Sequence, residues 1–210
     1  MKSNSEKDIK QTLEKLESEA RACTRCELYK TRTNVAFGTG PPNADIMMVG
    51  EAAGYREDQL GAPFVGTAGK ELDKLLKKAD LSREDDVYIT NVVKCRPPQN
   101  RDPTDEEIET CSPYLQKQIQ LIKPKLIVTL GRFAARVLLG RPVSMGRSHG
   151  TLVDCSYGGW HGKLLISYHP AAALYGTSRD LLEEDFRKLG KIVKKLDTLR
   201  VSQQTKLELR

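Results

Sequence analysis

The chain contains no apolar run near the roughly 18 residues that a membrane span needs. Clean ones such as Ile46-Met47-Met48-Val49 and Leu126-Ile127-Val128 are only a few residues long. The first residues, Met1-Lys2-Ser3-Asn4-Ser5-Glu6-Lys7, lack the apolar core of a secretory signal, which argues against export and predicts a cytoplasmic protein. No internal repeat, low-complexity block or Gly-x-Gly-x-x-Gly nucleotide fingerprint is found. Aromatics make up only 6% of the chain, yet 39% hydrophobic and 30% charged residues are ordinary globular usage. That composition excludes collagen-like, mucin-like and wholly disordered chains. With 210 residues, one globular unit can bury about 70% of its unfolded surface and needs no disulfides.

One kind of charge is locally missing. Between Glu109 and Asp154 there is no acid, while Lys117, Lys123, Lys125, Arg132, Arg136, Arg141 and Arg147 are all basic. A second basic stretch runs from Arg187 to the end, against Asp197 and Glu208 only. The whole chain carries 34 basic and 28 acidic residues, a net +6. Two basic segments in a nearly neutral remainder fit a polyanion surface such as nucleic acid, or a solubilising face and a charged tail.

Periodicity predicts helices over Asp8–Ala22, Gly66–Ala79 and Phe133–Leu139. Another opens on the capping box Thr104-Asp105-Glu106-Glu107 and runs to Ile122, and a last spans Ser178–Leu196. Buried strands are expected at Asp45–Val49, Val87–Val93, Leu126–Leu130 and Lys163–Ser167. Apolar strands alternating with helices imply an α/β fold: a single-domain, three-layer αβα sandwich on a central four-stranded parallel sheet. Chemistry in such sheets sits beyond the carboxyl ends of the strands. Those ends read Gly50-Glu51-Ala52-Ala53-Gly54, Asn91, Gly131 and Tyr168-His169-Pro170, so a carboxylate, an amide and an imidazole converge on one edge.

Cys23-Thr24-Arg25-Cys26 is a C-x-x-C pair, and Cys95 and Cys111 are separated by fifteen intervening residues. Such a set can bind zinc or a [4Fe–4S] cluster. Cys155 has no partner by spacing and reads as an ordinary buried thiol. Gly69-Lys70 fails as a phosphate loop, because Phe64 and Glu71 occupy positions that demand Gly and Ser/Thr. His149 and His161 lie among glycines and read as loop residues.

Four stretches together resemble the family 4, iron–sulfur uracil-DNA glycosylases. They are Gly50-Glu51-Ala52-Ala53-Gly54-Tyr55-Arg56-Glu57-Asp58, Gly61-Ala62-Pro63-Phe64-Val65-Gly66-Thr67-Ala68-Gly69, Thr90-Asn91-Val92-Val93-Lys94-Cys95-Arg96-Pro97-Pro98 and His169-Pro170-Ala171-Ala172. The resemblance runs from about Cys23 to Leu196. It departs at Ala53, where the family usually has Pro, and at Tyr175, where it often has Arg. Cross-linking relatives carry Gln in the first motif and a basic insertion; this chain has Glu51 and no insertion, so hydrolysis with turnover is implied.

The resemblance implies a monofunctional DNA-repair glycosylase that flips deoxyuridine out of DNA and hydrolyses its N-glycosidic bond. Free uracil and an abasic site would result, the first step of base excision repair. It assigns catalysis to Glu51 and His169, and substrate binding to Gly50, Glu51, Ala52, Glu57, Phe64, Asn91 and His169. Phe64 would stack on the base, Asn91 read its edge and Glu57 exclude the methyl of thymine. Cys23, Cys26, Cys95 and Cys111 would hold one structural [4Fe–4S] cluster. The domain is expected over 1–197, with a polar, loose basic tail over 198–210. The implied partner is single- or double-stranded uracil-containing DNA, with no membrane, for a monomer in the cytoplasm associated with the nucleoid. The rival readings are a non-enzymatic metal module that binds nucleic acid and an iron–sulfur electron carrier. Neither has a use for Phe64, Asn91 and His169 together.

Overall fold

The computed structural model describes the backbone of residues 2–175 and 178–208, and side chains within 6–174 and 178–196. In chain order the elements are α1 (Lys2–Arg21), β1 (Ile46–Gly50), α2 (Tyr55–Leu60), α3 (Thr67–Lys78), β2 (Val87–Asn91) and α4 (Asp105–Ile122). They continue with β3 (Leu126–Leu130), α5 (Arg132–Leu139), α6 (Met145–Ser148), β4 (Leu152–Tyr157), β5 (Trp160–Ser167) and α7 (Arg179–Glu208). One sheet in the order β2-β1-β3-β5-β4 forms the middle layer.

Every residue of β1, β2 and β3 is buried, as parallel strands covered on both faces must be. Alternate side chains go to opposite layers. Met47, Val49 and Ile127 meet Leu13 and Leu16 of α1, Leu115 and Ile119 of α4 and Leu138 of α5. Ile46, Met48, Val128 and Leu165 meet Leu72 and Leu76 of α3 and Leu182, Phe186 and Leu189 of α7. Each fully buried side chain of this kind contributes about 1.5–3 kcal/mol.

The capping box forms as its sequence requires. Thr104 Oγ1 accepts from Glu107 N at 3.2 Å, and Glu107 accepts from Thr104 N at 2.8 Å. Helix α4 then ends at Lys123 in the left-handed region, with Pro124 preventing continuation.

The sheet has five strands rather than four. The added edge strand, β4, is antiparallel to β5 through a Gly158-Gly159 turn. Both glycines have positive φ, 56° and 83°, which a tight hairpin turn demands. The strand is not legible as a core strand because Leu152, Asp154 and Ser156 are exposed. The two glycines are its only local signal. The last helix also differs, continuing to Glu208 through the backbone of the expected tail. No Gly or Pro follows Gly190 to stop it. The tail's side chains, the backbone of Leu209 and Arg210, and the side chain of Tyr175 lie outside the described residues. Among the described residues no helix is long and apolar enough to cross a membrane.

Phe186 is 1% exposed between α7 and the sheet, so Phe186→Ala should destabilise by about 3–5 kcal/mol. Guanidinium unfolding should show a lower midpoint at unchanged slope. An unshifted midpoint would mean that α7 does not pack as the second outer layer.

Candidate active site

The carboxyl ends of the strands build a slot. Gly50 closes β1 opposite Asn91, which closes β2. A Cβ on Gly50 would stand 2.4 Å from Asn91 Oδ1 and 2.6 Å from Phe64 Cζ, so only glycine leaves the gap between amide and ring open. Asn91 is 1% exposed, and its Oδ1 is buried with no hydrogen-bond partner among the described residues. A buried acceptor left unpaired is destabilising by roughly 1–3 kcal/mol, so it marks a place where a donor is to arrive.

Phe64 and His169 face each other across the slot, with ring centroids 5.6 Å apart and planes tilted by 32°. Phe64 sits at φ 53°, a left-handed conformation that costs a bulky L-residue roughly 1–2 kcal/mol. The turn behind it needs Gly69, whose Cβ would fall 1.8 Å from Phe64 O. Glu57, from α2, accepts hydrogen bonds on Oε1 from Val65 N at 3.0 Å and Gly66 N at 2.8 Å. Ala52, Gly54, Ala68, Asn100 and Ala171 complete the lining. Asn100 and Ala171 come from short 3-10 helices, Pro98–Asn100 and Pro170–Tyr175.

His169 follows β5, close over Gly131, whose Cβ would come 3.1 Å from that of His169. Its Nδ1 accepts from Ala171 N at 3.2 Å, so the ring proton of the neutral form sits on Nε2. Burial pushes its pKa down to about 4, with Glu57's charge opposing. The imidazole is therefore neutral near pH 7. Glu51 directly follows Gly50 at the end of β1 and is half-buried. Burial first, then the charge of Asp102, pushes its pKa up to about 7 against the pull of Arg132.

Arg132 and Arg136, both on α5, flank Phe133 at 5.7 and 4.9 Å from its ring centre. Arg132 reaches Asp102 at 3.7 Å, and Arg136 reaches Asp105 at 2.9 Å. His149, expected to be a plain loop residue, has its Nδ1 3.0 Å from Asp185 Oδ1 and its ring 4.9 Å from that of Tyr168. Asp185 Oδ2 also accepts from Ser167 Oγ at 3.0 Å. His161 lies on β5, 2.8 Å from Ser156 Oγ. These partners come from distant or cross-strand positions, so carboxylate spacing along the chain could not show them.

A second cavity lies nearby, lined by Cys23, Cys26, Cys95 and Cys111 with Arg25, Arg32 and Lys94. Arg25 Nε is 3.4 Å from Cys23 Sγ, Arg32 Nη1 3.3 Å from Cys95 Sγ, and Lys94 N 3.3 Å from Cys111 Sγ. Burial raises the pKa values of Cys26, Cys95 and Cys111, that of Cys95 to about 11. At Cys23 burial works the same way, but hydrogen bonds from Arg25 and Tyr114 outweigh it and lower the pKa. Among the described residues no group of three or more His, Cys, Asp or Glu side chains is arranged to hold a single metal ion. Cys155 stands apart, donating to Leu138 O at 3.3 Å.

Between the two cavities lies Lys94, which sequence reasoning passed over. Its Nζ is fully buried and donates to Asn91 O at 2.5 Å, Gln118 Oε1 at 2.6 Å and Thr90 Oγ1 at 2.7 Å. Burial lowers its pKa to about 7, against the pull of Cys111 and Cys95.

The sequence profile of the Uracil DNA glycosylase superfamily matches residues 37–196. A type-4 uracil-DNA glycosylase of Sulfurisphaera tokodaii is 47% identical over 187 residues, covering 85% of this chain and 83% of its own length. That of Archaeoglobus fulgidus is 45% identical over 195 residues, covering 90% and 98%. The Thermotoga maritima enzyme of the same name is 41% identical over 189 residues, covering 87% and 95%. Similarity of this extent, across the stretch that carries every strand of the sheet, makes the chain a member of the uracil-DNA glycosylase superfamily, in its type-4 branch.

Proposed function

We propose that this chain hydrolyses the N-glycosidic bond of deoxyuridine in DNA, releasing uracil and leaving an abasic site for base excision repair. One observation carries the reading: the buried, unpartnered Asn91 Oδ1 at the base of a slot walled by Phe64 and His169. The target nucleotide must leave the stack, which costs a few kcal/mol, and stacking on Phe64 returns part of that. Asn91 Oδ1 accepts N3–H of uracil while its amide donates to O4; cytosine presents both groups with reversed polarity. Glu57, fixed by the Val65 and Gly66 amides, limits room beside C5 in this reading.

As the bond breaks, negative charge gathers on uracil O2 and the sugar becomes oxocarbenium-like. His169, neutral with Nε2–H, donates to O2 without bringing in a buried charge, and that bond strengthens as the charge grows. Glu51, once ionised, orients the attacking water and offsets the sugar's positive charge. The backbone of Gly50 and Ala52 contacts the nucleotide. Arg132, 66% exposed at the start of α5, meets the phosphate backbone of single- or double-stranded DNA.

We further propose that Cys23, Cys26, Cys95 and Cys111 hold one [4Fe–4S] cluster. The fit rests on their shared cavity and on N–H donors aimed at the sulfurs, which stabilise thiolate ligands. Hydrolysis transfers no electrons, so the cluster supplies a rigid cross-link between the end of α1 and the Cys95–Cys111 segment. Residues 1–197 form the catalytic domain of a monomer with a nucleoid-associated role in the cytoplasm.

Release of free uracil from a labelled single-stranded oligonucleotide tests the activity, and intact substrate would refute it. Asn91→Asp, ionised near neutral pH, sets a carboxylate against O4 and loses a contact of about 1–3 kcal/mol. Uracil excision should fall roughly ten- to a hundredfold or more. Parent-like excision by this variant would remove Asn91 from the base.

The Glu51 pKa sets the pH profile. Single-turnover rates should climb through about pH 7 as the carboxylate ionises, and level off above it. His169, at about 4, adds no limb in that range. A raised folded-state pKa stabilises the fold below the ordinary carboxylate value, and this contribution is lost as pH rises through about 7. Glu51→Gln should therefore lose the acid limb and melt higher than the parent above pH 7. The limb surviving unchanged in that variant would assign it to another group.

For the cluster, anaerobically purified protein should be brown with about four irons per chain. Cys111→Ala should lose colour and stability, and Cys155→Ala keep both. Zinc without iron would overturn the assignment.

A further inference from the structure

We propose that Arg83 is a positioning residue for base stacking: its guanidinium, anchored on Asp73, holds the Pro63 and Phe64 carbonyls and keeps Phe64 in the backbone conformation that presents its ring to the slot. The inference rests on the reading that Phe64 stacks on the base. Arg83 lies between α3 and β2 and does not line the slot. Its side chain is only 17% exposed. Nη2 donates to Phe64 O at 2.9 Å and Nη1 to Pro63 O at 3.3 Å, while Gly69 O lies 3.5 Å from Nη2. Nε and Nη2 donate to Asp73 Oδ1 at 2.9 and 2.7 Å.

The opposite side of the same turn is held by the opposite charge, because Glu57 takes the Val65 and Gly66 amides. A cation on the carbonyls and an anion on the amides match the peptide dipoles of residues 63–66. Such a clamp is what a phenylalanine at φ 53° requires, since a bulky residue in that region persists only where its surroundings over-determine it. Without the guanidinium, Phe64 O loses its charged donor and the backbone is free to return to the extended region, which swings the ring from the slot. Lysine is no equivalent. A single ammonium cannot reach two carbonyls and a carboxylate with the planar geometry of the fork.

The test is a double-mutant cycle on Arg83 and Phe64, read by single-turnover excision of uracil from a single-stranded oligonucleotide at varied enzyme concentration. Arg83→Met should raise the enzyme concentration for half-maximal rate about tenfold, in line with the loss of one base–aromatic stack. Binding of an oligonucleotide carrying an abasic site, which has no base to stack, should stay within about twofold, and iron content should not change. Arg83→Lys should recover part of the loss. In a Phe64→Ala background Arg83→Met should add no more than about twofold, because the ring that it aims is gone.

Parent-like excision by Arg83→Met, effects that multiply in the cycle, or equal loss of abasic-site binding would each overturn the proposal. If Arg83→Met does not accumulate, Asp73→Asn, which removes the anchor but keeps the guanidinium, enters the same cycle. It should show a smaller loss of about threefold that also vanishes in Phe64→Ala, and parent-like excision there overturns the proposal equally. Phe64→Ala excising like the parent is a different outcome, because it removes the stacking reading itself.

Discussion

In the parallel ladder, Gly50 of β1 lies opposite Asn91 of β2, and Val49 lies opposite both Thr90 and Thr129. A slip of one residue would exchange the two faces of a strand. Thr90 would then stand at the slot, although its hydroxyl now donates to Phe37 O at 2.7 Å inside the core. Asn91 would turn toward apolar packing, and Gly50 would no longer lie between amide and ring. Burial on both faces holds this register, since any slip would carry buried apolar side chains out of their layers. The geometry of the slot is thus a consequence of core packing.

The slot and the cysteine cavity share one piece of chain. Beyond β2, Val92 N and Val93 N donate to Gly50 O and Glu51 O, both at 2.9 Å, and tie the 91–95 segment to the end of β1. Lys94 then binds back to Asn91 O, while Lys94 N and Cys95 Sγ belong to the cysteine cavity. Cys95 is four residues along the chain from Asn91, whose amide faces the slot. Desolvation gives this neighbourhood its chemistry with one rule and two signs. It drives Glu51 up and His169 down, leaving a carboxylate that ionises near neutrality and an imidazole that stays neutral.

Much of the scaffold was legible in local pattern. The apolar runs at β1, β2 and β3 were readable because burial on both faces leaves no polar position inside them. Helix α4 announced itself through Thr104 and Glu107, whose capping depends on residues three apart. Strand β4 did not, because an edge strand with exposed Leu152, Asp154 and Ser156 shows no continuous core signal. At the site, strand ends brought Glu51, Asn91 and His169 to one edge, and resemblance to a family added Phe64 and Glu57. The thiol spacing alone left zinc and an iron–sulfur cluster both open.

The chain itself determined its α/β class, its strand ends and its four candidate ligands, because these follow from composition, period and short-range capping. Only the tertiary structure decided that desolvation drives the pKa of Glu51 up and that of His169 down. It also decided that His149 meets Asp185, and that Arg83 reaches back along the chain to the Phe64 carbonyl. Those facts depend on desolvation and on contacts between distant segments. Neither is encoded in any short stretch of residues, because both arise only when the layers close and water leaves.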